Sequence, residues 1–346
     1  MKQLNQYKNE SFNMKPMATY ITEYIIKKKL DKPIDSEDHY KYFPKTKKEL
    51  ISNIKTLLDK GETNLNCIDT SNIIDMSFLF MNVKINNIDV SNWDVSNVID
   101  MTRMFYDCYN FNCDLSKWNV SKVEDMTRMF ENCGNFDCDL SNWNVSNLKN
   151  TTGMFKDCKK FTGKGLDNWN VSNVINMNDM FHDCLNFDCD ISKWNISKVK
   201  HIERMFYECE NFDCDLSKWD VSNVIHMHHM FYGCENFNCD LSKWDVSNVK
   251  DMKSMFSGCI KFNCDLSNWN VSKVENMSNM FYNCEKFEGK GLENWNVSNV
   301  ITMNNMFEKC VKFDCDLNNW DVSNVKDKRS MFYGCDNLKN KPSWWL

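Results

Sequence analysis

The stretch Trp244-Asp245-Val246-Ser247-Asn248-Val249-Lys250-Asp251-Met252-Lys253-Ser254-Met255-Phe256-Ser257-Gly258-Cys259-Ile260-Lys261-Phe262-Asn263-Cys264-Asp265-Leu266-Ser267-Asn268 decides the fold, because it recurs along the chain. Trp93, Trp118, Trp143, Trp169, Trp194, Trp219, Trp244, Trp269, Trp295 and Trp320 stand 25 residues apart, stretched to 26 twice, and Trp345 falls on the next mark. A degenerate unit opens at Ile68, where Asp69-Thr70-Ser71-Asn72-Ile73-Ile74-Asp75-Met76 keeps the register, giving eleven units. A period of this length cannot close a core by itself, and many copies stack their apolar faces into a solenoid.

With each tryptophan as the first position of its unit, apolar residues fall at the ninth, twelfth, thirteenth and sixteenth positions, as in Met252, Met255, Phe256 and Cys259. That i, i+3, i+4, i+7 spacing predicts one short helix per coil. Serine at the fourth position, from Ser96 to Ser323, is placed to cap it, and Gly, Asn or Asp at the fifteenth in most units to end it. Leu241, Trp244 and Val246 have the L-x-x-L-x-L spacing of a leucine-rich repeat and predict a short parallel strand around Lys243 to Val246. The expected fold is an α/β repeat, a right-handed leucine-rich-repeat-like solenoid of about eleven coils with one strand and one helix each. Stacked at roughly 4.8 Å per coil, it would run to about 50 Å. Trp244, Val246, Val249, Met252, Phe256, Cys259, Phe262 and Leu266 are the expected inward residues of one coil.

Composition fits such an array. Only 10 glycines and 4 prolines leave the turns to asparagine and aspartate. A net charge of −6 with no sustained basic stretch argues against nucleic acid as a partner, and no apolar run is long enough to predict a membrane span. Met1 to Lys15 carries no apolar segment or small-residue cleavage site, so a reducing, intracellular location is expected, the cytoplasm of a host or protist or a virion. Arrival at a cell surface without a signal peptide is the alternative.

The repeat W-(N/D)-V-S-(N/K)-V-x-x-M-x-x-M-F-x-x-C-x-x-F resembles that of the BspA-like leucine-rich-repeat surface proteins, in the branch with repeats of 25 and 26 residues. The resemblance runs from Tyr42 to the end, since Phe43-Pro44-Lys45-Thr46-Lys47-Lys48-Glu49-Leu50 and Leu65-Asn66-Cys67-Ile68-Asp69-Thr70-Ser71 look like the segment that opens those arrays. It implies a repeat domain for surface attachment and protein contacts, found in bacteria and also in protists and large DNA viruses. Two features depart from it: relatives commonly carry an export signal, and their twenty-first position is commonly Gln where seven units here have Cys.

The ends need caps. Residues 1–16 are expected to be disordered, 17–67 to form a helical N-terminal cap, 68–337 the solenoid and 338–346 a C-terminal cap built on Trp344 and Trp345. In the N-terminal cap, Met17, Tyr20, Ile21, Tyr24 and Ile25 predict one helix. Thr46 with Glu49 predicts the capping box of a second, carrying Leu50, Ile54, Leu57 and Leu58.

Residues with chemical potential mostly repeat with the coil. Cysteine holds the sixteenth position from Cys108 to Cys335, and the twenty-first at Cys113, Cys138, Cys189, Cys214, Cys239, Cys264 and Cys315. Such pairs suit a disulfide or zinc. In the stretched units Phe161-Thr162-Gly163-Lys164-Gly165 and Phe287-Glu288-Gly289-Lys290-Gly291, however, the second cysteine is lost while Cys158 and Cys284 stay, which favours buried thiols. Asn119, Asn144, Asn170, Asn195, Asn270 and Asn296 are formal glycosylation acceptors, but Asp94, Asp220, Asp245 and Asp321 occupy the same position, so a ladder of side-chain turns is expected. Asp114, Asp139, Asp190, Asp215, Asp240, Asp265 and Asp316 are read as turn caps in the same way.

Of the six histidines, five fall in three consecutive units; His201, His226 and His229 are the weak candidates for a metal, and a solvated helix face is the expectation. No nucleophile motif or phosphate loop stands out, so no enzyme and no cofactor is expected. The expected function is a non-enzymatic scaffold for binding a protein or surface, by a regular row of Lys218, Asp220, Lys243, Asp245, Asn270 and Asn296 or by a variable face around Arg204, His229 and Tyr232. The rival is self-assembly in a virion or surface layer, which makes a homo-oligomer the alternative to an unknown protein partner.

Overall fold

The computed structural model describes residues 40–84 and 86–345. The predicted helix from Met17 to Ile25 and the expected disorder of 1–16 lie outside them. The array is a solenoid whose coils meet in register: parallel bridges join the eighth positions in succession, Asp75 to Asp100, Asp125, Asn150, Asn176, His201, His226, Asp251, Asn276, Thr302 and Asp327. All eight inward residues expected of the Trp244 coil are buried.

Neither the helix nor the strand predicted for each coil forms. At the eleventh position the backbone is left-handed, with φ of 54° at Arg204, 58° at His229 and 53° at Ser254, and again at the fifteenth, with 56° at Glu208 and 79° at Gly258. Left-handed residues at these points interrupt any right-handed helix. Instead the chain makes consecutive reverse turns, in which Met255 N–H donates to Met252 C=O at 3.2 Å, Ser257 to Ser254 at 3.3 Å and Cys259 to Phe256 at 2.9 Å. The intervening amides donate forward to the next coil: Met252 to Asn276 at 3.0 Å, Ser254 to Ser278 at 2.9 Å, Phe256 to Met280 at 2.9 Å and Gly258 to Tyr282 at 2.7 Å. A two-turn helix in water is marginal, because nucleation is costly and few bonds repay it. Spending half the amides between coils makes each turn part of a long cooperative wall.

The stretch predicted as strand is bent as well. Asp240 Oδ1 accepts from Ser242 N–H at 2.9 Å and Asp245 Oδ1 from Ser247 N–H at 3.0 Å, so side-chain turns recur every five residues and leave no extended run. A third such turn sits at the bridge, where Asp251 Oδ1 accepts from Lys253 N–H at 2.9 Å. The fourth-position serine therefore receives a cap on its amide and does not serve as one. The ladder readings of the second-position Asn and Asp, and of the aspartates after the second cysteine, agree with these bonds.

Inside, aromatic rings form columns. Phe231 lies 5.7 Å from both Phe206 and Phe256, nearly parallel to each, and 4.1 Å from Phe237 of its own coil. Polar atoms in this core are paired across coils: Trp244 Nε1 donates to Leu216 C=O at 3.0 Å and the Cys234 thiol to Phe206 C=O at 3.0 Å. The twenty-first-position cysteines have a different duty. Leu216 N–H donates to Cys239 Sγ at 3.0 Å and Leu241 N–H to Cys264 Sγ at 3.1 Å. In the stretched coils the same amide finds a carbonyl, Leu140 donating to Lys164 and Leu266 to Lys290, each at 3.1 Å. The inserted residue replaces the sulfur, which explains why those coils lack the cysteine. The exchange requires Gly165 and Gly291, at φ of 89° and 90°, where a Cβ would lie 2.2 Å from the Ser141 or Ser267 nitrogen.

At the N-terminal end α1 (Lys47–Asp59) forms as predicted, with Thr46 Oγ1 accepting from Glu49 N–H and Leu50, Ile54, Leu57 and Leu58 buried. At the other end the register slips by one: Trp344, not Trp345, joins the indole column, 6.4 Å from Trp320, and donates to Leu317 C=O at 2.8 Å. Trp345 instead packs edge-on against Phe332 at 5.0 Å. The final turn is one residue shorter than the repeat, and Pro342 with the short 3-10 turn Ser343–Trp345 takes up the difference.

Candidate functional site

Two surfaces carry the candidate residues. On the first, Lys218, Asp220, Lys243, Asp245, Asn270 and Asn296 are all exposed. The aspartates and asparagines among them are committed. Asp220 accepts from Ser222 N–H at 3.0 Å, Asn270 from Ser272 at 3.1 Å and Asn296 from Ser298 at 3.1 Å. The hydrogen bonds from Ser247 hold the Asp245 carboxyl below its usual range. A ladder that the sequence reading missed runs beside them: Asn223 Nδ2 donates to Ser197 C=O and Asn248 to Ser222 C=O, each at 2.8 Å, and where lysine replaces asparagine, Lys273 Nζ reaches Asn248 Oδ1 at 2.7 Å. This face stitches one coil to the next.

The second surface is the outer side of the turn wall, where the eighth, tenth, eleventh and fourteenth positions of successive coils lie side by side. Arg204 grips Asp179 with two bonds, Nε to Oδ1 at 2.7 Å and Nη2 to Oδ2 at 3.2 Å. His182 contacts the same carboxylate at 3.1 Å and Asp183 at 3.1 Å on its other nitrogen. Burial opposes the Asp179 charge, but the bonds from His182 and Arg204 outweigh it and hold this carboxyl well below the ordinary range. Burial also works against the His182 charge, and the two aspartates overcome it and raise the pKa.

Beside this cluster the rings form a continuous stack. His182 lies 4.4 Å from Tyr207, and Tyr207 4.5 Å from Tyr232. His229 is tilted at 6.0 Å from Tyr232 and perpendicular to His228 at 5.5 Å. Burial, with the nearby His228, Lys253 and Arg204, pushes His229 down to about 4. Three buried polar atoms here have no hydrogen-bond partner: Glu203 Oε2, His228 Nδ1 and His229 Nδ1. Glu203 is 7% exposed, and such atoms are rare in folded proteins.

The histidines therefore do not form the solvated helix face that the spacing suggested. Nor does the structure gather His201, His226 and His229 into a ligand set: His201 faces Glu203 at 3.6 Å, His226 neighbours His228, and among the described residues no three His, Cys, Asp or Glu are placed to hold a metal ion. Asp179, Asp183, Glu203 and Tyr207 were missed. Asp179 and Glu203 had a signal in the register, since no other coil carries Asp at the eleventh or Glu at the tenth position, whereas Asp183 and Tyr207 repeat residues found at their positions elsewhere, as in Asp157 and Tyr232. All eighteen cysteines are free thiols; burial raises Cys113, which is only partly covered, to about 11 and Cys239 to about 12.

Fold and surfaces together define an open repeat solenoid with a stitched face and a variable face. Residues 48–165, 150–238, 214–291 and 262–346 match the family described as "Mycoplasma protein of unknown function, DUF285", and the chain belongs to that family. No curated protein matches the chain. Among solved structures, a leucine-rich repeat protein from Bacteroides ovatus ATCC 8483 is similar at a TM-score of 0.31 and 14% identity, over 78% of each chain.

Proposed function

We propose that this chain is a non-enzymatic scaffold that binds another protein through the turn wall around Arg204, His229 and Tyr232. The observation that carries the reading is the stack of His182, Tyr207 and Tyr232 beside the pair of Arg204 and Asp179. Tyrosine and arginine dominate binding energy at protein interfaces, and this wall offers both. The regular row offers less, because the side chains of Asp220, Asp245, Asn270 and Asn296 already bond within the array. The likeness of the repeats to the BspA-like branch supports the scaffold reading and a right-handed winding.

We place the protein in a reducing compartment, since a thiol that donates to a carbonyl, as Cys234 does, must keep its hydrogen. No helix among the described residues is long and apolar enough to cross a membrane. The test begins with a partner captured from the native host and identified by mass spectrometry, then titrated against variants. Replacing Tyr207 and Tyr232 together by Ala should weaken binding by about ten-fold or more, the scale of interface hot spots. The Lys218→Ala, Lys243→Ala pair should leave it unchanged, and the reverse outcome moves the site to the regular row. Light scattering that rises with concentration in the absence of any partner would favour self-assembly instead.

A further inference from the structure

Tyrosine holds the fourteenth position in four coils ahead of the last: Tyr106, Tyr207, Tyr232 and Tyr282. Two of these rings carry a cation that the chain itself supplies. The guanidinium of Arg103, at the eleventh position of the same coil, lies 5.6 Å from the Tyr106 ring centre. Lys309, at the fifteenth position of the following coil, lies 5.1 Å from the Tyr282 ring centre and donates to its hydroxyl at 2.9 Å. The ring quadrupole attracts a positive charge, so this register has two built-in places for one.

At Tyr232 neither place supplies a cation. Its own coil has His229 at the eleventh position, tilted at 6.0 Å and held neutral by burial first and then by the charges around it. The following coil has Gly258 at the fifteenth, where a Cβ would meet only the Gly233 backbone, at an ordinary contact of 3.4 Å. At Tyr207, Arg204 is drawn off to Asp179, Gly233 stands in the place of Lys309, and Tyr232 itself stacks on the ring at 4.5 Å. The stack therefore ends at a Tyr232 face that Ser257 and Gly258 are too short to cover, and among the described residues no lysine or arginine lies over it. The charge around this face is one-sided. Across the fourteenth to eighteenth positions of the four coils from His182 to Lys261, Asp183, Glu208, Glu210 and Glu235 stand against a single lysine, Lys261. Asp183 is held by His182, whereas the other three carboxylates have no hydrogen bond or ion pair among the described residues. Glu208 Oε2 lies 2.6 Å from where a Gly233 Cβ would stand, and burial, then Asp183, Glu210 and Glu235, push its carboxyl up. The positive charges nearby, Arg204 and Lys253, belong to the eleventh and tenth rows.

We propose that the exposed end of this stack binds a lysine in a basic segment of the partner protein, its ammonium over the Tyr232 ring as that of Lys309 is over Tyr282, with Glu208 and Glu235 as counter-charges. The inference rests on the turn wall being the binding face and names what the partner brings to it. Lysine follows from which place is open: His229 fills the one that Arg103 uses, whereas a glycine holds the one that Lys309 uses. The same carboxylates repel nucleic acid and anionic lipid.

The test uses the full chain and a dye-labelled hexalysine peptide, followed by fluorescence anisotropy and by NMR of the tyrosine rings. Binding should shift the Tyr232 ring signals and leave those of Tyr106 and Tyr282, already covered, unmoved. Gly258→Lys supplies the cation from within, as Lys309 does at a φ of 64°, and should weaken binding by about ten-fold or more, the scale of an interface hot spot. Gly258→Asn suits the same left-handed backbone without bringing a charge, and should bind as the parent does. Glu208→Gln with Glu235→Gln should weaken binding as Gly258→Lys does, and Glu275→Gln, at an exposed seventh position, should not. Equal binding by a hexaglutamate peptide, unmoved Tyr232 signals, or parent-like binding by Gly258→Lys would each overturn the proposal. So would spermidine binding as tightly as the peptide, which assigns the place to a free polyamine. If the peptide fails while the Tyr207 and Tyr232 variants still release the captured partner, the wall stands and the basic segment falls; a captured partner indifferent to those variants sinks both.

Discussion

Replacing Cys239 by Ala and by Ser separates two accounts of the second cysteine ladder. If the thiol only fills apolar space, Ala costs little more than the lost sulfur, and Ser, which adds a polar hydroxyl to a site 7% exposed, should be no better. The structure predicts the opposite order, because Leu216 N–H points at Cys239 Sγ at 3.0 Å and Leu216 itself is fully buried. Ala leaves that amide without an acceptor, at about 1–3 kcal/mol for an unsatisfied buried donor. The lost packing adds about 0.8 kcal/mol, the value of one buried methylene-sized group. Ser keeps an acceptor and should cost about 1 kcal/mol. Urea titration followed by both tryptophan fluorescence and circular dichroism gives the difference, two probes being needed because long arrays can unfold in parts. Amide hydrogen exchange at Leu216 should quicken in the Ala variant and stay slow in the Ser variant. Equal stabilities, or Ala above Ser, would refute the acceptor role and with it the account of the stretched coils.

Gly165→Ala should lower the denaturation midpoint far more than Gly61→Ala. Both change a left-handed glycine, at roughly 1–2 kcal/mol, but a Cβ at Gly165 would lie 2.2 Å from the Ser141 nitrogen, whereas at Gly61 nothing lies within 4 Å. Titration with a thiol reagent in denaturant without reductant should count nearly all eighteen cysteines, and under native conditions the half-buried Cys67, Cys113, Cys189, Cys315 and Cys335 should react first, slowly where burial raises the thiol as at Cys113, and the buried ones not at all. Two histidines of the turn wall should bend the pH dependence of stability in opposite directions. His182, raised in the folded state, contributes stability that is full below the unfolded value of about 6.5 and is lost as pH rises through its folded pKa. His229, depressed to about 4, removes stability as pH falls below about 6.5, because the unfolded chain takes up the proton first. Thermal midpoints of His182→Ala and His229→Ala between pH 4 and 8 measure both, and slopes of the same sign would contradict the geometry.

How far the sequence could be read depended on which physical constraint left a mark on residue type. Burial leaves a strong one: the columns of Trp244, Phe256 and Phe262 were legible, as was the Thr46 cap, although the Glu49 carboxylate completes it at Lys45 N–H and not at Thr46 N–H. The patch of Asp179 and Glu203 was not, because it is not periodic and emerges only when neighbouring coils are aligned at the bridge from Asn176 to His201. The stitching asparagines were hidden for the opposite reason. They repeat so regularly that they read as surface filler, and their partners are backbone carbonyls about 26 residues back, as with Asn248 and Ser222.

The error over helix and strand has a definite origin in geometry. Met252, Met255, Phe256 and Cys259 face inward whether the chain turns as a helix or as reverse turns closed by bonds three residues apart, so apolar spacing alone cannot distinguish the two. What distinguishes them is the eleventh position, occupied in order by Arg103, Arg128, Gly153, Asp179, Arg204, His229, Ser254, Asn279, Asn305 and Ser330, all with positive φ. No valine, isoleucine or threonine stands there, although these residues are common elsewhere in the coil; Phe78 holds the position in the degenerate first unit, with a φ of 58°. A helix surface would accept valine, isoleucine and threonine, whereas a left-handed backbone penalises a β-branched side chain. The same backbone choice sends alternate amides forward to the next coil, which gives the array its one-way wall of hydrogen bonds.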